Sequence, residues 1–193
     1  MESQQDSAPF RQLSRAFAST RAVLARVGPD GLDAGTPCRS WDVRALINHL
    51  VDSARWGASA TLGTGGEHTD EDFAAGDFLA VYDDGIKVAL AAFGSAGVLE
   101  GTFELGFGTL SGAGLMGLLA RDQFTHGWDL ARALGHDTDL DPGLADELLA
   151  QARVEIPDAY RGGEGEAPFG PVVEAPTGAY PADRLAAFLG RST

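Results

Sequence analysis

The chain has one cysteine, Cys38, and one lysine, Lys87, among its 193 residues. A single thiol excludes an internal disulfide framework and any metal cage built from several cysteines. Bases are scarce in general: 14 Lys and Arg stand against 28 Asp and Glu, a formal net charge of −14. So acidic a chain argues against a nucleic-acid footprint and against docking on anionic lipid. Long apolar runs are missing too. The stretches at 88–93 and 115–120 fall well short of the ~18 residues that a membrane span needs. The opening MESQQDSAPF has neither a cationic leader nor an apolar segment, so no secretory signal is expected there. Together these absences predict a soluble, cytoplasmic protein.

What is present suffices for a core. Apolar residues make up 44% of the chain, ordinary for a globular protein, and the length suits one domain over 1–193. Four long segments carry helical periodicity: 8–27, 41–62, 77–93 and 113–134. The first is closed by Gly28-Pro29-Asp30-Gly31. The second has Ser40 as its expected N-cap, with Asp42 in the first turn against the helix dipole. In the third, Phe78, Val81, Ile86, Leu90 and Phe93 are the core candidates, and Gly85 costs ~1 kcal/mol of helix propensity. The fourth ends at Gly135 in the usual C′ role. Between them, 63–76 is a polar connection, and 97–112 reads as a Gly-rich crossover with one short extended piece. Residues 136–193 form an extension with a minor helix over 142–155, a Gly/Pro-rich acidic stretch and a helical stub at 183–190. The expectation is all-α: a four-helix bundle (core helices 8–135) with a long crossover and a short C-terminal extension.

The informative feature lies on the fourth helix. Leu115, Leu118, Leu119, Leu130 and Ala133 define an apolar stripe at ~100° per residue. Asp122 and His126 fall in the middle of it, with Phe124 and Trp128 pointing the other way. At a spacing of four, their Cβ atoms lie ~5–6 Å apart on one face. A carboxylate facing the interior needs compensation, either a hydrogen bond from the histidine or a shared cation. The spacing alone does not choose between the two. His49, on the shoulder of the second helix's stripe, is a third donor or a half-buried histidine. With it the set becomes two histidines and one carboxylate on facing helices, which leaves coordination positions open for water or substrate.

Other residues carry weaker signals. Cys38 precedes His49 by eleven residues, ~16 Å if helical, so it is not expected in the same coordination sphere. No nucleophile is placed near either histidine. His68 and His136 lie in polar loops and are expected to be solvated. Asp129 and Arg132 read as a helix ion pair, and Trp56 as a core aromatic or the wall of a substrate pocket. The Gly-rich 101–114 lacks the lysine and the strand-then-helix context of a phosphate loop.

The stretch Thr36-Pro37-Cys38-Arg39-Ser40-Trp41-Asp42-Val43-Arg44-Ala45-Leu46-Ile47-Asn48-His49-Leu50 resembles the opening motif of the mycothiol-dependent maleylpyruvate isomerase metal-binding domain, of the DinB-like superfamily. Asp122-Gln123-Phe124-Thr125-His126-Gly127-Trp128-Asp129-Leu130-Ala131-Arg132-Ala133 is similar to its second motif. Asp183-Arg184-Leu185-Ala186-Ala187-Phe188-Leu189-Gly190-Arg191 is similar to a common ending of its actinobacterial single-domain branch. By position, the resemblance implies metal ligands at His49, Asp122 and His126, with Asp122 where the family commonly has Glu. It implies a DinB-like bundle holding a divalent cation, zinc first and nickel second, with mycothiol as cosubstrate.

The implied activity is thiol-dependent isomerisation or S-transfer on a small electrophile. Maleylpyruvate isomerisation itself is not expected, because 136–193 looks too loop-rich for the isomerase's C-terminal domain. Two alternatives stand beside the enzyme: a catalytically silent metal-binding or regulatory interaction module, and a plain bundle in which Asp122 and His126 only bond each other. Expected partners are a small thiol and its electrophile, with no nucleic acid and no membrane; a homodimer is compatible, though no face is singled out.

Overall fold

The computed structural model describes residues 4–63, 69–163 and 165–193. Among them are six α-helices and one antiparallel hairpin: α1 (Ala8–Leu24), α2 (Val43–Thr61), α3 (Phe78–Phe93), β1 (Thr102–Leu105), β2 (Gly108–Ser111), α4 (Gly112–Ala133), α5 (Pro142–Glu155) and α6 (Pro181–Phe188). Helix α4 packs on α1 and α2, and α3 closes the ring by packing on both of those; α5 and α6 pack on each other and on α4. No helix among the described residues is long and apolar enough to cross a membrane. The expected connection at 63–76 lies partly outside the described residues, and His68 lies wholly outside them.

Local chemistry sets the helix ends. Ser7 caps α1, accepting from the Phe10 amide, with proline in the first turn. Helix α2 starts two residues later than expected, and its N-cap is Asp42 rather than Ser40. The Thr36 hydroxyl donates to the Trp41 carbonyl at 2.8 Å, taking the acceptor that an earlier helical turn would use. The Asp42 carboxylate then accepts from the Ala45 amide at 2.8 Å, where its charge also suits the helix dipole. At the far end of α4, Gly135 adopts φ +66. The amide of His136 reaches back to the Ala131 carbonyl at 2.9 Å, the long bond of a Schellman ending.

Three packing expectations change. First, the chain is mostly helical, roughly as the all-α reading expects, but it also carries a small sheet. Residues 97–112 hold a hairpin, with Thr102 opposite Ser111 and Leu105 opposite Gly108. Second, the buried face of α3 is Tyr82, Gly85, Ala89 and Phe93; Phe78, Val81, Ile86 and Leu90 are only partly buried against it. Gly85 and Ala89 share that face with Tyr82 and Phe93, and Gly85 lets α3 approach α2: an added Cβ would stand 3.4 Å from the Ala54 Cβ. Third, Phe124 and Trp128 do not point away from the interior but are fully buried. The extension meets Trp128, whose indole donates to Asp183 of α6 at 2.8 Å. Helix α4 is therefore the central rod, enclosed on every side.

Several polar groups inside this core pair across the helices. Gln123 donates to the Leu50 carbonyl at 3.1 Å and to the Ser53 hydroxyl at 2.6 Å, and its side-chain oxygen accepts from Tyr82. The Thr20 hydroxyl donates to the Gln123 carbonyl at 2.8 Å. These bonds tie α1, α2 and α3 to α4 at the residue beside Asp122, so they fix the rotation and height of the candidate donors.

The α1–α4 crossing depends on Gly127, where an added Cβ would lie 2.6 Å from the Thr20 hydroxyl and 3.2 Å from its Cα. Backbone cannot yield as a flexible side chain does. Gly127→Ala should therefore cost about 1–3 kcal/mol by overpacking, read as a lower urea midpoint with unchanged slope; an unchanged midpoint would show that the helices are not in close contact there.

Candidate metal centre

Helix α2 brings His49, and α4 brings Asp122 and His126, to one point. The His49 Nε2 lies 3.1 Å from Asp122 Oδ1, and the His126 Nε2 lies 3.6 Å from the same oxygen. One donor atom from each residue falls within 4.8 Å of the others. Donors around a tetrahedral ion at ~2.1 Å stand ~3.4 Å apart, so the two measured separations straddle that value. The second carboxylate oxygen, Oδ2, is buried without a hydrogen-bond partner, an expensive condition for a lone carboxylate. Donor chemistry and spacing both fit a divalent cation.

The His126 imidazole is held from outside. The His126 Nδ1 lies 2.9 Å from Asp129 Oδ2. Asp129 is fully buried and receives the Arg191 guanidinium at 3.1 Å and 3.3 Å. Burial alone would raise the Asp129 pKa, but the His126 hydrogen bond and Arg191 outweigh it and hold the carboxyl below its usual range. An ionised carboxylate only accepts, so Nδ1 carries the proton, and Nε2 is the ring nitrogen that faces Asp122 and would be offered to a cation. This is the carboxylate–histidine arrangement that orients metal-bound imidazoles. Trp41 covers the pair, its ring 4.6 Å from that of His49 and 5.4 Å from that of His126.

The charges oppose burial and win. Burial would raise the Asp122 pKa, but His49 and His126 hold it well below the carboxylate range. Burial would lower the His49 pKa, but the facing Asp122 raises it. A cavity of about 340 Å³ opens onto His49, Asp122 and His126, with Trp56, Phe107 and Leu119 among its walls. A second cavity, about 830 Å³ and more polar, lies against His126 as well and is bounded by Cys38, Trp41, Arg132 and Arg191.

Several expectations are corrected here. Cys38 is not remote: its Sγ lies 3.3 Å from Asp129 Oδ2 and 4.0 Å from His126 Nδ1. The estimate of ~16 Å assumed helical rise, whereas the chain before Val43 is a loop that folds back beside α4. A nucleophile type therefore does stand near a candidate histidine. Burial, with Asp129 beside it, pushes the Cys38 thiol up to about 12, so it is protonated at neutral pH. Asp129 pairs with Arg191 and His126, not with Arg132, which is exposed. His136 is half-buried rather than solvated, its Nδ1 without a partner. Trp56 is a cavity wall.

Asp129 could have been found from the sequence, because a spacing of three places it near His126 on the same side of a helix. Arg191 carried no local signal, standing 62 residues from its partner.

In protein stripped of metal, the His49–Asp122 pair makes stability depend on pH in both directions. The lowered Asp122 pKa contributes stability above ~3.9, lost as pH falls below that value; the raised His49 pKa contributes stability below ~6.5, lost as pH rises past it. Urea unfolding in EDTA should show the largest advantage of the native chain over Asp122→Asn between about pH 4 and 6.5. A difference that does not change with pH would mean that the pair is not formed.

Residues 13–131 match the family described as the mycothiol maleylpyruvate isomerase N-terminal domain. Two uncharacterized proteins of Mycobacterium tuberculosis, from strains CDC 1551 and H37Rv, are each 39% identical over 189 residues, covering 95% of this chain and 98% of theirs. No solved structure matches. The donor pair on α4 and the third donor on α2 both fall inside the matched span, and the chain belongs to the mycothiol maleylpyruvate isomerase N-terminal domain family.

Proposed function

We propose that the protein is a DinB-like four-helix bundle that holds one divalent cation, zinc by preference and nickel second, through His49, Asp122 and His126. On this reading it is a cytoplasmic, thiol-dependent isomerase or S-transferase, with mycothiol or a similar small thiol as cosubstrate. The observation that carries it is the donor spacing of 3.1 and 3.6 Å around a carboxylate whose other oxygen has no partner. With two neutral imidazoles and one carboxylate, a bound divalent ion keeps a net charge of about +1, enough to favour the thiolate of an adjacent thiol.

The chain's own residues prepare that encounter. Asp129 holds the proton on His126 Nδ1 and so frees Nε2. Trp41 shields the imidazoles on one side. The chain's one cysteine cannot serve as the thiolate, because its pKa is pushed up to about 12; this favours a nucleophile delivered from solution. The polar cavity beside Cys38 and Arg191 has room for the hydrophilic body of such a thiol. The open cavity at the donors favours the enzyme over a silent module, whose site would be plugged by side chains.

Elemental analysis of purified protein should find about one zinc or nickel per chain, and added zinc should raise the melting temperature of stripped protein. His126→Ala should abolish metal retention with helical content preserved; unfolding on that change would mark the histidine as structural. Asp129→Asn should weaken metal binding about 10–100-fold, measured by competition with a chromophoric chelator, and an unchanged affinity would remove Asp129 from the account.

A further inference from the structure

The smaller cavity has a composition that the donor set does not require. Trp56, Phe107, Leu118, Leu119, Phe169 and Leu189 line it together with the three donors. Phe107 stands in the two-residue turn of the hairpin, between the paired Leu105 and Gly108. It is 66% exposed, so it contributes little to the core, yet its ring lies 6.4 Å from Trp56 at an interplanar angle of 31°. A tilted pair at that spacing is in direct aromatic contact and makes one continuous aromatic wall of the cavity, with Phe107 carried on an exposed turn.

Size and charge point the same way. About 340 Å³ lies at the lower end of the ~300–1,000 Å³ usual for ligand cavities, suited to a single-ring molecule. Both arginines at its edge are already committed: Arg121 to Glu155 at 2.7 Å, and Arg191 to the buried Asp129 at 3.1 Å. Apart from a cation at the donors, the cavity offers a small dianion no unpaired positive charge, while it offers a flat apolar ring an aromatic wall.

We infer that this cavity recognises a small planar aromatic electrophile, its ring laid against the wall formed by Trp56 and Phe107 and its reactive atom toward His49, Asp122 and His126. That the ligand is an electrophile rests on the function proposed above; recognition of the ring rests on the cavity alone. Phe107 is then the residue that sets specificity for flat substrates, and the hairpin is the element that presents it.

Calorimetric titration of the full chain tests this with three unreactive probes: 4-nitrobenzyl alcohol, cyclohexylmethanol and maleate. The aromatic alcohol should bind at least tenfold more tightly than the saturated one. Phe107→Ala should weaken it at least tenfold with an unchanged melting temperature, and Phe107→Tyr should restore it. Equal affinity for the two rings, tighter binding of maleate, or indifference to Phe107→Ala would overturn the inference. Repeating the titration on His126→Ala separates the two claims. Ring binding that survives in a chain without metal supports the cavity assignment on its own terms. If native protein retains its metal but does not prefer the flat ring, the cavity assignment fails and the metal assignment stands.

Discussion

A carboxylate enclosed by helices and faced by two imidazole nitrogens is the constraint around which this molecule is arranged. Asp122 has one oxygen shared between His49 and His126 and another with no partner. Holding it there requires α2 and α4 to keep one register, and the interior supplies the means. Gln123, the next residue, is bonded to the α2 backbone and to Ser53, while Tyr82 of α3 and Thr20 of α1 bond back to it. Because a buried polar group left unpaired costs roughly 1–3 kcal/mol, this network penalises any rotation of α4 that would pull the donors apart. Thr20 is also the residue that Gly127 admits at close range, so packing and polar pairing specify the same arrangement.

The extension beyond α4 is part of that arrangement. It buries the outer face of α4 through Trp128 and Asp183, and its last turn places Arg191 on Asp129. A chain of contacts thus runs from the tail through Asp129 to the His126 ring, setting which nitrogen faces Asp122. Cys38 sits in the same cluster, with Arg191 3.5 Å from its sulfur, and remains protonated there. The cluster behind His126 orients the ring, and the cavity in front of it is left for ligand.

Much of this was legible in the sequence where chemistry is local. The D-x-x-x-H spacing put Asp122 and His126 on one side of α4, and Asp141 with Pro142 marked the start of α5. Gly135 marked the end of α4 through its positive φ. What escaped was decided by tertiary contact. The face of α3 combines Tyr82 and Phe93 with Gly85 and Ala89, so the aliphatic residues Val81, Ile86 and Leu90 did not mark it. Trp128 looked outward only because the helix wheel cannot see the extension, whose Asp183 accepts from its indole. Cys38 was misplaced because its distance was reckoned along a helix that has not yet begun, and the hairpin was hidden by its glycines. Arg191 and Asp129 meet across the chain, and no spacing announces such a pair.

The central claim is that His49, Asp122 and His126 bind one cation together. Titrating stripped protein with Co²⁺ and recording visible absorption tests it most directly, because a four-coordinate nitrogen and oxygen site gives intense d–d bands that an octahedral or solvated ion does not. The account predicts such bands, saturating at one ion per chain and absent in His49→Ala. Bands that persist in His49→Ala, or no band at all with native protein, would contradict it.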